Sequence, residues 1–374
     1  MRSEWETVRL SDVCDLVAGF AFKSKDFGSF EDKVIKITHI VPPTVAMDSL
    51  VGVNLKKYDK GKLGRYVAGV GDYVLAMTGA TVGKLGRIEH GHAYINQRVL
   101  LFKNYTNVDK DFLYYVLSQR IFEQYVLNYI DSESAQANIS AGTIGKFTFQ
   151  MPPLGVQKKI GRLLRIIDEK CVLNKKINDN LQQQAFVLFD SFFRNISDGL
   201  CTIGDYLTPK RGRNLLSKDA IPGTVPVVAG GLEPATYHNT PNTTAPVLTI
   251  SASGANAGFV NLWHKPVWSS DSSFIDSSMT KDVYFWFVML KKRQREIFDA
   301  QTGSAQPHIY PQHIAAMPVC ALDKSAISLF SSQVAPLFAL IGANKDENER
   351  LSAIRDTLLP RLISGEIDVS DVKL

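Results

Sequence analysis

In two stretches of the chain, mostly apolar residues recur at alternating steps of three and four. We call each such row of residues a seam. The first seam comprises Ile160, Leu164, Ile167, Cys171, Asn174, Asn178, Leu181, Ala185, Leu188 and Phe192. The second seam comprises Val334, Leu337, Ile341, Asn344, Asn348, Leu351, Arg355, Leu358 and Leu362. This heptad-like spacing is typical of a long helix that packs on another helix. Because a stretch as long as a whole domain lies between the seams, we predict that the two helices pair in antiparallel orientation.

The four asparagines of the seams predict how the helices are aligned. In an antiparallel pair, Asn174 would face Asn348 and Asn178 would face Asn344. Buried asparagines lower stability, but they fix the register and orientation of paired helices. The alternative is that they lie at the edge of the seam, in water.

The chain outside the seams is written twice. Three groups of residues recur in the same order, the first two at an offset of 193 and the last at 170. Leu10, Asp12, Gly19 and Ser24-Lys25-Asp26 return as Ile203, Asp205, Gly212 and Ser217-Lys218-Asp219; Ser134-Ala135-Gln136 with Ile139 returns as Ser304-Ala305-Gln306 with Ile309. Two similar domains are therefore predicted.

The glycine-rich stretch "MTGATVGKLGR", residues 77–87, resembles a phosphate-binding loop but fails its pattern. That pattern needs four residues between its glycines and Ser or Thr after the lysine. Gly79 and Gly83 enclose only three residues, and Leu85 follows Lys84. The second copy, Gly254-Ala255-x-x-Gly258, has Phe259 in place of the lysine. The shared feature is therefore predicted to be a turn that needs positive φ or a close approach of backbone.

Composition indicates a soluble protein of two or three domains. The chain has 374 residues, of which 45% are hydrophobic and 21% charged, and a formal net charge of +5. The longest apolar run, residues 283–290, is too short to cross a membrane. The N-terminal stretch has no signal-peptide core, and the spacing of the four cysteines suits no disulfide or metal site. We therefore expect a cytoplasmic protein with no membrane partner and no bound metal, and the charge weakly favours a polyanionic ligand.

Three motifs carry a resemblance that covers essentially the whole chain. They are "MPPLGVQKKI" at 151–160, "LLPRLISGEI" at 358–367, and the doubled Ser-Ala-Gln. In order and spacing they resemble the specificity subunit of a type I restriction-modification system. The resemblance implies an α+β fold with two similar α/β target recognition domains. Two long antiparallel helices would separate them as a coiled-coil spacer with pseudo-twofold symmetry.

The resemblance also divides the chain into four regions. These are a first recognition domain at 1–152, a central helical region at 153–199, a second recognition domain at 200–322 and a C-terminal helical region at 323–374. The entry to the second helix, "CALDKSAISLF", lacks the Pro-Pro-Leu…Gln pattern of the first. The start of that helix is therefore left open, and Pro336 marks either a kink or a true beginning.

The resemblance implies a protein that performs no chemistry itself. It would read a bipartite target in double-stranded DNA, one half-site per recognition domain. It would also dock methyltransferase subunits, which bind S-adenosylmethionine, and restriction subunits, which use ATP and magnesium. The residues agree, because Pro152-Pro153 stands between Met151 and Leu154 rather than in a methyltransferase tetrad. The rival interpretations are a stand-alone modification enzyme and a DNA-independent two-headed scaffold or assembly protein.

Candidate DNA-contacting residues are the polar and basic ones in the irregular stretches, since loops on a rigid scaffold usually carry recognition. In the first domain they are Lys23, Ser24, Lys25, Thr78, Thr81, Lys84, Asn96, Gln97, Arg98, Gln136 and Asn138. In the second they are Lys210, Arg211, Arg213, Asn214, Ser253, Asn256, Ser270, Asp271, Ser272, Gln306 and His308. Lys84 and Arg98 are the first choices for a phosphate or guanine contact. Exposed cations are otherwise plain solvated surface, and Gln136 and Gln306 alternatively cap the turn that follows them.

Overall fold

The computed structural model describes residues 5–130, 137–303 and 306–372. The chain forms two compact units, which we describe separately. Unit 1 comprises Met1–Lys170 and Leu351–Leu374, and unit 2 comprises Cys171–Arg350. The four regions predicted from the sequence are consecutive along the chain. Each compact unit, in contrast, contains one segment from each of the two long helices.

Unit 1 is built mainly from short strands, with several helices. Its strands are β1 (Glu6–Arg9), β2 (Asp15–Ala18), β3 (Phe27–Ile35), β4 (Ile40–Val41), β5 (Thr44–Val45), β6 (Val51–Val53), β7 (Val67–Gly69), β8 (Tyr73–Ala76), β9 (Leu85–Arg87), β10 (His92–Ile95), β11 (Val99–Lys103) and β12 (Thr148–Met151). Its helices are α1 (Leu10–Val13), α2 (Lys60–Leu63), α3 (Lys110–Leu117), α4 (Arg120–Asn128), α5 (Ala141–Gly145) and the first part of α6 (Leu154–Phe192). The sheets have the orders β2-β11-β8-β9-β5-β4, β6-β3-β10-β7 and β1-β12.

One core cluster of unit 1 lies between its largest sheet and helices that include α3 and α6, and a second lies between that sheet and strands β3, β7 and β10. Strands β8 and β11 are almost wholly buried, as expected for short, continuous apolar runs. Helix α3 buries every residue from Phe112 to Leu117 in the same core. Ile160 and Leu164 of α6 join that core with Leu362.

Unit 2 repeats this plan with fewer strands. Its strands are β13 (Cys201–Thr202), β14 (Lys210–Arg211), β15 (Val225–Val228), β16 (Thr236–His238), β17 (Val247–Ser251), β18 (Val260–Trp263), β19 (Trp268–Ser269), β20 (Ser272–Asp276) and β21 (Pro318–Val319). Its helices are α7 (Val283–Lys292), α8 (Gln294–Asp299), α9 (Pro311–Ala315), the second part of α6 and most of α10 (Lys324–Ile363), whose end belongs to unit 1. Phe189 of α6 and Phe330 of α10 pack in its core with Phe285 of α7.

The internal repeat extends to the order of strands in the sheets. The order β14-β20-β17-β18 matches β2-β11-β8-β9, and β16-β15-β19 matches β6-β3-β10. In both units the second of these sheets contains one parallel pair, β3 with β10 and β15 with β19. Together with the two long helices, this confirms the predicted α+β class with two similar α/β domains.

The helix segments of unit 2 run antiparallel, with asparagines at their contact. The Asn174 side-chain amide donates to Asn348 Oδ1 at 2.8 Å, and that of Asn344 donates to Asn178 Oδ1 at 2.8 Å. Asn174 is fully buried and Asn344 is 9% exposed. These are the two pairs that the seam pattern predicts, and the buried members lie within the contact rather than in water at its edge.

Helix α10 begins at Lys324, twelve residues before Pro336, so Pro336 does not mark its beginning. Proline inside a helix removes one backbone hydrogen bond and leaves the carbonyl four residues earlier without that donor. Pro336 and Ser332, which carries that carbonyl, both lie on the exposed face of α10. Water can satisfy the carbonyl there, which explains why the helix continues through the proline.

Helix α10 is also long and apolar enough, by length and composition alone, to cross a membrane. Within unit 2, however, its residues Phe330, Val334 and Phe338 are buried against the rest of the core. Core helices of soluble proteins commonly pass the same test, so its composition is weak evidence for a membrane segment.

Candidate nucleic-acid interface

Backbone hydrogen bonds bring the candidate loops of unit 1 together. The Met77 N–H donates to the Arg98 carbonyl at 2.9 Å, and the Gly79 N–H donates to Ala137 at 2.9 Å. Thr78 forms an isolated bridge with Asn138, and Phe20 forms another with Asn96. The segments that carry Lys23–Lys25, Thr78–Lys84, Asn96–Arg98 and Asn138, which are far apart in the sequence, therefore meet at one end of the sheet.

Matching backbone hydrogen bonds bring the candidate loops of unit 2 together. The Ala252 N–H donates to the Asp271 carbonyl at 3.1 Å, and the Gly254 N–H donates to Pro307 at 3.1 Å. Ser253 forms a bridge with His308, as Thr78 does with Asn138. The Gly212 N–H donates to the Ser272 carbonyl at 2.8 Å, which brings in the segment that begins at Lys210.

The two glycine loops have the same conformation. Gly79 and Gly83 have φ values of +72° and +82°, and Gly254 and Gly258 have +80° and +85°. In both loops the second glycine donates to a β-strand carbonyl, Gly83 to Ala76 at 2.9 Å and Gly258 to Ser251 at 2.7 Å. The stretch at 77–87 is thus a left-handed glycine turn, as its failed phosphate-loop pattern predicts.

Most of the predicted residues are accessible at this end of each sheet. Lys23, Ser24, Lys25, Lys84, Gln97 and Arg98 are exposed in unit 1, and Thr81, Asn96 and Asn138 are partly exposed. Lys210, Arg211, Arg213, Asn214 and Gln306 are exposed in unit 2, and Ser253, Asn256, Asp271 and His308 are partly exposed. Gln136 lies outside the described residues.

Three candidates are buried. Thr78 is 7% exposed, Ser270 is 3% exposed, and Ser272 is fully buried. The Ser272 hydroxyl lies 2.7 Å from that of Ser269 and 3.2 Å from the Val228 carbonyl, to which it donates. Its bonds hold neighbouring strands together, so we assign Ser272 a structural role and leave it out of the accessible surface.

The two units differ in charge at one matched position. Arg98 and Asp271 occupy equivalent places, because each carbonyl accepts a bond from the residue two positions before the first glycine of the loop, Met77 or Ala252. In unit 2 the Asp271 carboxylate pairs with Arg211 at 2.6 Å and also accepts from the Ser253 hydroxyl. A guanidinium offers donors where a carboxylate offers acceptors, so the two surfaces suit different base edges.

A buried polar network holds the helix segments of unit 1 to its domain. The Tyr115 hydroxyl donates to one Asp168 oxygen at 2.6 Å, and Arg355 donates to the other at 2.8 Å. Burial, and then the Asp168 charge, raises the pKa of Tyr115 far above its ordinary value, so the phenol stays a donor. The seam pattern included Arg355 but contained no signal for this partner, since Asp168 lies outside the first seam.

Sequence reasoning also missed a basic segment of unit 1, residues 56–65. It carries Lys56, Lys57, Lys60, Lys62 and Arg65, which are all exposed. The density of cations was a usable signal, but the segment has no counterpart in the second half of the chain. The repeat therefore did not draw attention to it.

The comparisons with known proteins agree with this geometry. Residues 2–183 match the model of the type I restriction modification DNA specificity domain. The chain is 23% identical over 306 residues to the type I restriction enzyme MjaIX specificity subunit of Methanocaldococcus jannaschii, covering 71% of each protein. It is 31% identical over 119 residues to the HindI specificity subunit of Haemophilus influenzae, covering 30% of this chain and 26% of that one.

A solved structure shares the fold along almost the whole chain. It is the crystal structure of a type I restriction-modification S subunit from M. genitalium, with a TM-score of 0.57, 17% identity and 96% of both chains covered. The fold they share comprises, in this chain, two similar α/β units with paired helix segments. Residues 2–183 belong to the family of type I restriction modification DNA specificity domains, and the relatives named above are specificity subunits, a non-catalytic family.

Proposed function

We propose that this chain reads a bipartite sequence in double-stranded DNA, with one half-site for each unit. The observation that supports this most directly is the repeated loop convergence with different charges, Arg98 in unit 1 and Asp271 in unit 2. A common scaffold with divergent donors and acceptors is what two different half-sites require. The membership of residues 2–183 in the DNA specificity domain family favours this function over that of a DNA-independent scaffold.

The proposal assigns the chemistry to partner subunits in the cytoplasm. Methyltransferase subunits would supply S-adenosylmethionine, and restriction subunits would supply ATP hydrolysis with magnesium, while this chain binds none of these cofactors. Its glycine loops have backbone N–H groups turned into the chain's own strands, as Gly83 and Gly258 illustrate. That arrangement supports a structural role for the loops rather than nucleotide binding.

The test replaces the matched charges one at a time in the chain assembled with its methyltransferase subunits. Arg98→Ala should relax the preference at one or more base pairs of the first half-site only, by roughly 10- to 100-fold for a lost bidentate contact. Asp271→Asn should affect only the second half-site. The measurement is sequencing of methylated sites in a randomised DNA library.

Arg295→Ala is the matched control, because its side chain is 87% exposed on α8 and is not among the predicted DNA-contacting residues. It should leave both half-sites unchanged. If both Arg98→Ala and Asp271→Asn also leave the preference unchanged at every base pair, the convergent loops do not read the DNA.

A further inference from the structure

The positive charge of the chain is concentrated in ten residues. Residues 56–65, which we call the basic flank, contain five cations and one carboxylate, Asp59. Their net charge of +4 accounts for most of the chain's formal +5, so the remaining residues are together close to neutral.

The cations of the basic flank are only weakly paired. Lys60 lies 4.0 Å from Asp32, and Lys62 lies 3.9 Å from Asp59, with the lysine side chains 71% and 87% exposed. Exposed ion pairs at such distances contribute little and are screened by salt. Asp59 also accepts hydrogen bonds from the Gly61 and Lys62 N–H groups at 3.0 and 3.4 Å, so its carboxylate caps the N-terminus of α2.

Tyr58 anchors the basic flank beside the candidate DNA-reading loops. Its hydroxyl donates to Asp26 Oδ2 at 2.5 Å and accepts from the Lys23 N–H at 3.3 Å. Its ring lies 5.5 Å from that of Phe20, the residue that bridges to Asn96. Lys56 and Lys57 therefore continue the surface that Lys23 and Lys25 begin, and an aromatic cluster fixes its position.

Unit 2 has no comparable charge in its equivalent segment. Strand β16 takes the place of β6 in the sheet order, and residues 239–246 follow it as residues 54–66 follow β6. Residues 239–246 contain no charged side chain. Asn242 in this segment forms two hydrogen bonds with the backbone of Ser269, so its side chain has a structural role.

We propose that the basic flank binds the phosphate backbone of duplex DNA beside the half-site that unit 1 reads. This inference rests on the proposed function and adds an anchor that is independent of sequence and confined to one unit. Lysine acts on phosphate as an exposed point charge, which sets position without reading bases. Each such contact releases counterions from the DNA, so the affinity falls as the salt concentration rises.

The experiment uses the full chain assembled with its methyltransferase subunits and a duplex that contains its target. Lys56, Lys57, Lys60 and Lys62 are replaced together by Gln, while Tyr58 and Asp59 stay. The slope of log affinity against log salt concentration should become shallower by about 2 to 4, since each lost phosphate contact contributes about 0.9. The methylated sequence should stay the same.

The control removes the same charge elsewhere, with Lys158, Lys176, Lys281 and Lys324 replaced by Gln, all exposed in the structure. Its slope should change by less than about 1. An unchanged slope in the flank variant would overturn the inference. So would weaker assembly with the methyltransferase at unchanged slope, which would assign the flank to a protein surface. If the unaltered complex binds no specific sequence, the proposed function itself fails, and the two failures are distinct.

Discussion

At the scale of single residues, the glycine loops show how a motif that resembles a phosphate-binding loop can instead have a purely structural role. Gly254 and Gly258 both have φ near +80°, but their surroundings differ. A Cβ on Gly254 would meet open space, whereas one on Gly258 would lie 2.8 Å from the Ile297 side chain. Ile297 is fully buried, so it has no room to move aside.

We expect Gly254→Ala to lower the free energy of unfolding by about 1–2 kcal/mol, the usual cost of a left-handed conformation. Gly258→Ala should lower it by about 2–4 kcal/mol, because overpacking against Ile297 is added. Denaturant unfolding followed by tryptophan fluorescence measures this. Gly231→Ala, where φ is not positive and a Cβ has only an ordinary 3.4 Å contact, is the control and should be near neutral. Equal losses at Gly254 and Gly258 would contradict the packing argument.

His264 is a second residue whose properties depend on its neighbours. Burial, followed by the charge of Lys345, lowers its pKa from 6.5 to about 4. Its ring packs against α10 where Gly342 leaves room, since a Cβ there would lie 2.8 Å from the imidazole. The imidazole is therefore held neutral in the folded protein.

Between pH 6.5 and pH 4 the unfolded chain binds a proton at His264 that the folded chain does not. The free energy of unfolding should therefore fall as pH falls through this window, by about 2 kcal/mol from pH 7 to pH 5 for this group. His264→Gln should lose that part of the decline. The measurement is denaturant unfolding of both proteins at the two pH values, followed by tryptophan fluorescence. Parallel declines in the two proteins would mean that His264 titrates normally.

At the scale of elements, the asparagine pairs show how polar side chains specify a helix contact. Asn174 is fully buried, and its amide donates to both Asn348 and Glu347, at 2.8 and 2.7 Å. Asn348 in turn donates to the Cys171 carbonyl at 3.2 Å. This linked set suits only one alignment of the two segments, whereas leucines would pack in several.

Asn174→Ala should lower the free energy of unfolding by about 1–3 kcal/mol, because it leaves the partly buried Asn348 oxygen without that donor. The double variant with Asn348→Ala should lose less than the sum of the single changes, by roughly 0.5–1.5 kcal/mol. Asn180→Ala on the exposed face of α6 is the control and should stay within about 0.5 kcal/mol of the unaltered chain. Strict additivity in the cycle, measured by denaturant unfolding, would show that the pair does not act together.

At the scale of the whole molecule, the recognition domain of unit 2 has its ends side by side. The chain enters on β13 and leaves on β21, which pair antiparallel with Cys201 opposite Val319. In unit 1, β1 and β12 close the domain in the same way, with Glu6 opposite Met151. A domain closed by its own terminal strands can be exchanged without cutting through its core.

Replacing residues 200–322 by the equivalent domain of a relative should therefore change one half of the target and keep the other. The readout is the set of methylated sites in cells that contain the methyltransferase subunits. A chimera with residues 200–322 exchanged for an identical but recoded segment is the control and should keep both halves. Changes in both halves would show that the two units do not read DNA independently.

The sequence by itself determined the features that depend on local periodicity and on repetition. Seam spacing identified both long helices and the facing asparagines, and the duplicated motifs identified two similar domains, whose matching strand order the structure then showed. These succeed because each is encoded along a single element or appears twice. Only the tertiary structure decided which polar residues are accessible, as with Ser272, which strand pairing buries, and Asp271, whose carboxylate pairs with Arg211. The tertiary structure also decided that Asp168 meets Arg355, 187 positions later in the chain. It decided as well that the basic flank lies beside Lys23, because Tyr58 contacts Lys23 across 35 positions. Such contacts follow from how strands and helices pack, and no spacing along the chain encodes them.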